Sequence, residues 1–273
     1  MRFLNGKELA GYIKERQAKR VRSLRQAHGV QPKLAIVVTI DNPVTGVYIR
    51  KKKRYGEDIL VDVDIYQVKQ TEVRELLNRL SNDESVHGII VQLPLEDRSE
   101  TDEIVNLVPA EKDVDGLNNK PIYDPATALA IMWLLSGYNI DLTSKNVVLI
   151  GHGKLVGQPL EQMLLASGIT PTVIDVSTPN PKEIAIQADV IVTATGHHRV
   201  LTSDMIKHGA VVVDAGVASE GNKTVGDVAS EVYEERDDIT ITPLKGGVGP
   251  LTVTALFDNV IRAAERVAAK HKA

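Results

Sequence analysis

"NVVLIGHGKLVGQPL" (Asn146–Leu160) compresses a strand, a glycine-rich turn and the start of a helix into one short stretch. Its strand, "NVVLI" (Asn146–Ile150), is apolar from Val147 onward without alternation, the pattern of a strand covered on both faces. Gly151 and Gly153 suit a tight turn that lets backbone approach a pyrophosphate at a helix N-terminus. The third glycine, Gly157, comes one residue later than in G-x-G-x-x-G, so the loop alone also fits an ordinary glycine-rich turn. Context narrows the choice. The next strand, "TVIDV" (Thr172–Val176), carries Asp175, 24 residues after Gly151. A dinucleotide-binding unit places an acid about 20 residues on, against the adenosine ribose hydroxyl. The competing role for Asp175 is a cap of the turn that follows. Strand, glycine turn, helix, strand and acid together predict a Rossmann-type parallel sheet.

Reading outward, strands are expected at "DVIVTAT" (Asp189–Thr195), "AVVVDAG" (Ala210–Gly216) and "ITITPL" (Ile239–Leu244), with helical segments between most of them. The tail "LTVTALFDNVIRAAERVAAK" reads as a long amphipathic helix. Upstream, Leu9, Ile13, Ala18, Val21 and Leu24 mark one helical face. A strand at Lys33–Ile40 breaks at Asp41-Asn42-Pro43, and a basic helix follows from about Val44. Further strands are expected at Val63–Val68 and His87–Leu93, the latter closed by Pro94, with a helix "EVRELLNRLSND" between them. The apolar "DPATALAIMWLLSGY" (Asp124–Tyr138) predicts a helix bridging two halves. Strands alternating with helices on both sides of it imply an α/β protein with parallel sheets. There is no repeat of roughly 20–50 residues, which argues against a solenoid.

Composition excludes several classes. The absence of cysteine removes disulfides, thiolate metal sites and a cysteine nucleophile. The N-terminus lacks the apolar segment of a signal peptide, and no run approaches the ~20 apolar residues of a membrane span. A cytoplasmic protein with no membrane partner is the expectation. The net charge of −4 is also unlike the basic excess of dedicated nucleic-acid binders. That weakens one reading of "VYIRKKKRY" (Val47–Tyr55), whose five consecutive cations otherwise suggest a nucleic-acid patch or a solvated helix face.

Five stretches in order point elsewhere: "TGVYIRKK" (Thr45–Lys52), "HGIIVQLPL" (His87–Leu95), "EKDVDG" (Glu111–Gly116), "GHGKLVGQP" (Gly151–Pro159) and "PLKGGVGPLT" (Pro243–Thr252). Together they cover essentially the whole chain. They resemble the signatures of the bifunctional methylenetetrahydrofolate dehydrogenase/methenyltetrahydrofolate cyclohydrolase family. The resemblance implies oxidation of 5,10-methylenetetrahydrofolate by NAD or NADP and hydrolysis of the methenyl product to 10-formyltetrahydrofolate, with no metal required. It also implies a homodimer of two-domain chains, the domains lying around a cleft. Residues 1–122, with a C-terminal helix at about 255–273, would form the folate-binding catalytic domain. Residues 140–254 would form the dinucleotide-binding domain, joined through 123–139.

The resemblance also assigns roles. The family's Y-x-x-x-K pair falls on Tyr48 and Lys52, and positions i and i+4 share a helix face, so hydroxyl and ammonium can converge. A lysine at its ordinary pKa is a poor base at neutral pH. Partial burial and like-charged neighbours both disfavour the ammonium, a physical route to a usable Lys52. Gln92, at a strand end, would position that lysine and contact folate, completing a catalytic set of Lys52, Tyr48 and Gln92. Leu93, Pro94, Asp115, Gly247, Pro250 and Thr252 join Tyr48 and Gln92 as substrate contacts. Asp115 would hold the pterin edge, since a carboxylate accepts two donors at once. Asp113 reads as a structural loop acid, and Thr45 as a turn, cap or functional residue. Contacts to the dinucleotide would come from Gly151, His152, Gly153, Lys154, Val156, Gly157, Asp175, Thr195, Gly196 and Gly216.

Departures from the pattern carry their own expectation. His152 stands where the family usually has arginine, and "DVSTPN" (Asp175–Asn180) lacks the serine-arginine pair common after the second strand. Those arginines pair with the 2′-phosphate of NADP, whereas Asp175 repels it, so NAD is expected to be preferred. His152 and Lys154 are the cations left near that position. "PATA" (Pro125–Ala128) replaces P-C-T-P, and Lys245 replaces a proline. Three alternatives stand beside this reading: another NAD(P)-dependent Rossmann-type dehydrogenase, a nucleotide-sensing or nucleic-acid-binding module, and a family member with only the dehydrogenase activity. The first accounts for Gly151 to Asp175 but not for the upstream motifs. Retention of Tyr48, Lys52 and Gln92 argues against the third.

Overall fold

Apolar, largely β-branched runs build the central strands β2, β4, β5 and β7, whose burial leaves no alternation. A computed structural model of the chain describes residues 1–40, 43–220 and 223–270. The break expected at Asp41-Asn42 therefore lies outside the described residues. In chain order, β1 (Arg2–Phe3) precedes α1 (Gly6–His28), β2 (Lys33–Val38), α2 (Pro43–Ile59), β3 (Asp62–Gln67), α3 (Val73–Asn82), β4 (Gly88–Gln92) and α4 (Thr101–Val105). The apolar α5 (Ala126–Gly137) leads to β5 (Val147–Ile150), α6 (Gly157–Ala166), β6 (Thr172–Ile174), α7 (Pro181–Ala185) and β7 (Val190–Thr193). There follow β8 (Val211–Asp214), a hairpin of β9 (Ala218–Glu220) and β10 (Lys223–Val225), α8 (Ser230–Glu235), β11 (Thr240–Ile241) and α9 (Val248–Lys270).

The chain divides into two compact units. Gly11–Ala126 and Val253–Ala273 form one. Its sheet is fully parallel with order β3-β2-β4. The central strand is buried throughout after Lys33, and Ala35, Val37, Ile89 and Val91 pack with Val73, Leu77 and Ile104. The register pairs Val38 with both Gln67 and Gln92, so α2 and the loop after β4 leave the same, carboxyl, edge of the sheet. That edge is where α/β sheets carry their ligands.

Met1–Ala10 and Thr127–Thr252 form the other unit. Its six-stranded sheet has the order β1-β11-β8-β7-β5-β6, parallel at every pairing. The first residues of the chain enter it because Arg2–Phe3 extend β11. After β5 the chain places β6 on one side and β7 on the other. This reversal is a topological switch point, which opens a crevice beyond the carboxyl ends of β5 and β7. Val148, Ile150, Ile191, Val212 and Ile241 fill the core beneath it. Among the described residues no helix is long and apolar enough to cross a membrane.

Candidate active site

In the first unit, α2 presents Lys52 inward while Arg50, Lys51, Lys53 and Arg54 are exposed. The Lys52 ammonium donates to Oε1 of Gln92 at 2.9 Å, and the Gln92 amide donates from Nε2 to the Leu93 carbonyl at 3.0 Å. The second bond fixes which face of the amide meets the lysine. Burial lowers the pKa of Lys52, and the Asp115 carboxylate raises it in partial opposition. Asp115 is affected conversely: burial raises its pKa and Lys52 pulls it back down. The expected depression of Lys52 thus arises from its burial. The neighbouring cations point to water, which screens them, and the charge that matters is the opposite one on Asp115. Tyr48 lies on the same helix one turn earlier, half-buried, with the Lys51 ammonium 5.6 Å from its ring centroid.

The loop that carries Asp115 is stitched in place. Ile89 and Asp113 form a bridge, and Ile89 N–H donates to Lys112 O at 2.8 Å. Asp113 is buried and accepts from the N–H groups of Gly116 (3.1 Å) and Asn118 (2.7 Å), a structural role. Burial pushes its carboxyl up to about 6, with the Asp115 charge adding to the effect. Asn259 of α9, fully buried, donates to the carbonyls of Val114 and Asp124, both at 2.9 Å. It was absent from the sequence-derived site. Its signal was a polar residue four positions after Ala255 and eight after Leu251, on a buried helical stripe. Thr45 lies buried in the first turn of α2, one turn before Ile49. Leu93 is half-buried, and Pro94 follows it through a cis peptide bond.

The second unit holds the remaining predicted residues. Gly151 adopts φ +100°, and a Cβ there would lie 2.7 Å from the Ala194 carbonyl. Only glycine permits that contact between the turn after β5 and the loop after β7. Gly157 opens α6, and its missing side chain lets the helix start against the Gly151 carbonyl. Gly153 and Lys154 are exposed in the turn between them, and Val156 is half-buried. Nε2 of His152 lies 2.6 Å from Oε2 of Glu161 on α6. Asp175 follows β6, exposed, and its Oδ1 accepts from Ser177 N–H, Ser177 Oγ and Thr178 Oγ1. These bonds hold its pKa below the usual carboxylate value. Asp175 thus caps its own turn and remains an anion with lone pairs to spare for a ribose hydroxyl.

Two acids unmarked in the sequence hold the loops around this crevice. Asp227, fully buried, accepts from Thr195 N–H at 2.6 Å. Asp214 accepts from the N–H groups of Gly216, Asp227 and Val228. A Cβ on Gly216 would stand 1.8 Å from Oδ1 of Asp227, so this glycine makes room for the acid that orients Thr195. Gly196, at φ +70°, turns the same loop. Gly246 accepts from Lys7 N–H at 2.8 Å beside Gly247, while Pro250 and Thr252 lie in the first turns of α9. The Thr252 hydroxyl donates back to Val248 O at 3.4 Å. Gly247, Pro250 and Thr252 belong to this unit, and Lys52, Gln92 and Asp115 to the other.

A parallel sheet with a switch point, a glycine turn at its crevice and an ionised acid past the neighbouring strand meets the demands of a dinucleotide. The other unit carries the half-buried Lys52, Gln92 and Asp115. These features define a two-unit α/β protein with a dinucleotide-type sheet in one unit and a lysine–carboxylate cluster in the other. Residues 4–115 match the family description "Tetrahydrofolate dehydrogenase/cyclohydrolase, catalytic domain", and residues 125–268 match "Tetrahydrofolate dehydrogenase/cyclohydrolase, NAD(P)-binding domain". The chain belongs to this tetrahydrofolate dehydrogenase/cyclohydrolase family. It is 37% identical to the bifunctional protein FolD of Lactobacillus helveticus over 278 residues, covering 97% of this chain and 98% of the relative. The crystal structure of the bifunctional FolD enzyme of Campylobacter jejuni superposes with TM-score 0.91 at 36% identity, covering 98% of this chain and 99% of that one. The Trypanosoma brucei enzyme, solved with NADP and an inhibitor, gives TM-score 0.90 at 27% identity, with 97% of each chain covered.

Proposed function

We propose that this chain oxidises 5,10-methylenetetrahydrofolate to the methenyl form and hydrolyses that product to 10-formyltetrahydrofolate. The observation that carries the reading is the 2.9 Å contact of Lys52 with Gln92, beside Asp115. A bound nicotinamide dinucleotide supplies a hydride acceptor for the methylene carbon. The chain's own residues do the rest. Asp115 accepts hydrogen bonds from the amino-pyrimidinone edge of the pterin, and Tyr48 and Gln92 set the folate against Lys52. Burial favours the neutral amine of Lys52. In that form it takes a proton from water as the oxygen bonds to the cationic methenyl carbon. The tetrahedral adduct then breaks its bond from carbon to N5 as its hydroxyl becomes the formyl carbonyl, the hydroxyl proton passing to N5 and the proton on Lys52 to solvent, while the formyl group stays on N10.

The Gly151–Gly157 turn and the Thr195–Gly196 loop are assigned to the dinucleotide, with His152, Gly153, Lys154, Val156 and Gly216 around them. Leu93, Pro94, Gly247, Pro250 and Thr252 are assigned to folate. NAD is the preferred cofactor in this reading, because Asp175 is an anion where a 2′-phosphate would lie and no arginine offsets it. The chain works in the cytoplasm and as a homodimer, the half-exposed β3 at the edge of its sheet being a strand open to pairing with a second copy. The test is direct: purified protein is given methylenetetrahydrofolate with NAD or with NADP, and the methenyl and 10-formyl products are followed. Both products are expected, with the higher kcat/KM for NAD. No methenyl product with either dinucleotide would contradict the proposal.

A further inference from the structure

Glu161 has no counterpart among the residues the resemblance assigns. It lies on the second turn of α6, and its carboxylate meets the imidazole of His152 at 2.6 Å. The register of β5 and β6 pairs Ile150 with Ile174, and Gly151 N–H donates to Ile174 O at 2.8 Å. The residues that follow, Gly151-His152 on one strand and Asp175 on the next, therefore leave the sheet side by side. An acid at the end of that second strand meets the adenosine ribose in dinucleotide-binding folds. His152 is thus the imidazole placed to receive a group on the ribose 2′-oxygen, and Glu161 occupies its Nε2.

We infer that Glu161 is a specificity-determining residue that excludes 2′-phosphorylated dinucleotides by engaging His152 and placing a carboxylate beside the ribose site. A 2′-phosphate carries close to two negative charges and needs donors. It finds one donor taken and two carboxylates, Glu161 and Asp175, in its surroundings. A 2′-hydroxyl is neutral, donates to Asp175 and meets no such repulsion. The inference rests on the proposed NAD preference and adds a residue to it whose contribution can be measured separately.

The test is calorimetric titration of the full chain with two probes that differ only by the phosphate in question, 5′-AMP and adenosine 2′,5′-bisphosphate. Glu161→Gln removes the charge, and Glu161→Ala also releases His152. Both variants are expected to bind the bisphosphate about tenfold more tightly than the parent, with 5′-AMP affinity changed less than about threefold. His152→Ala added to Glu161→Ala is expected to cancel part of the gain. An unchanged bisphosphate-to-AMP ratio in both single variants would overturn the inference, as would an equal gain for the two probes. The parent chain answers the other question independently: tighter binding of the bisphosphate than of 5′-AMP would contradict the NAD preference, whatever the Glu161 variants do.

Discussion

The Lys52 ammonium and the Gln92 side-chain oxygen stand 2.9 Å apart, joining the middle of α2 to the carboxyl end of β4. The amide is itself tied to the Leu93 carbonyl, so it directs the lysine rather than following it. Gln92→Leu keeps the volume and removes the tether. The variant is expected to lose cyclohydrolase kcat by about a hundredfold, the lower range for a misplaced acid–base group. Steady-state hydrolysis of supplied methenyltetrahydrofolate measures it.

Asp115 acts on Lys52 through charge. Its carboxylate raises a lysine pKa that burial lowers. Removing the anion in Asp115→Asn therefore lowers the Lys52 pKa further, since the charge that opposes desolvation is gone. The amine stays neutral to lower pH. The acid limb of the cyclohydrolase kcat/KM profile should shift towards lower pH, while KM for folate rises because the pterin loses its acceptor. A limb that stays in place would show that Lys52 and Asp115 are not coupled.

Asn259 links α9 to the residues on both sides of Asp115. Asn259→Ala leaves the carbonyls of Val114 and Asp124 without these donors in a buried setting. A loss of roughly 2–4 kcal/mol in urea unfolding is expected. Functionally, KM for the folate should rise more than kcat falls if the displaced Asp115 holds the pterin as proposed.

Gly216 faces Asp227 with no space for a methyl group. In Gly216→Ala the acid must move, and Thr195 N–H loses its acceptor. Dinucleotide affinity should weaken by at least about tenfold. Hydrolysis of methenyltetrahydrofolate supplied directly needs no dinucleotide and should persist. Parallel loss of both activities with an intact fold would place Gly216 outside this role.

Much of this was legible in the chain. Asn146–Leu160 revealed the dinucleotide unit because strand, turn and helix are contiguous there, and each obeys a local rule. Lys52 was singled out by a tyrosine one helical turn away. Contacts that span the chain left no such trace. Asn259 reaches back 145 residues to Val114, and Asp227 reaches Thr195 across 32. Arg2–Phe3 is too short for any periodicity to mark it as a strand. The source of the Lys52 shift was also hidden, because sequence shows which charges are adjacent and not which face water. Asp175 caps its own turn, one of the two roles its position suggested, and its place at a ribose belongs to the proposed function.

Lys52 is assigned as the base of the hydrolytic step. Its most direct test follows methenyltetrahydrofolate hydrolysis by Lys52→Met, a substitution that keeps an unbranched buried chain and removes the amine. The expected result is a loss of at least about a hundredfold in cyclohydrolase turnover, with the unfolding midpoint retained. Hydrolysis at the parent rate would contradict the account.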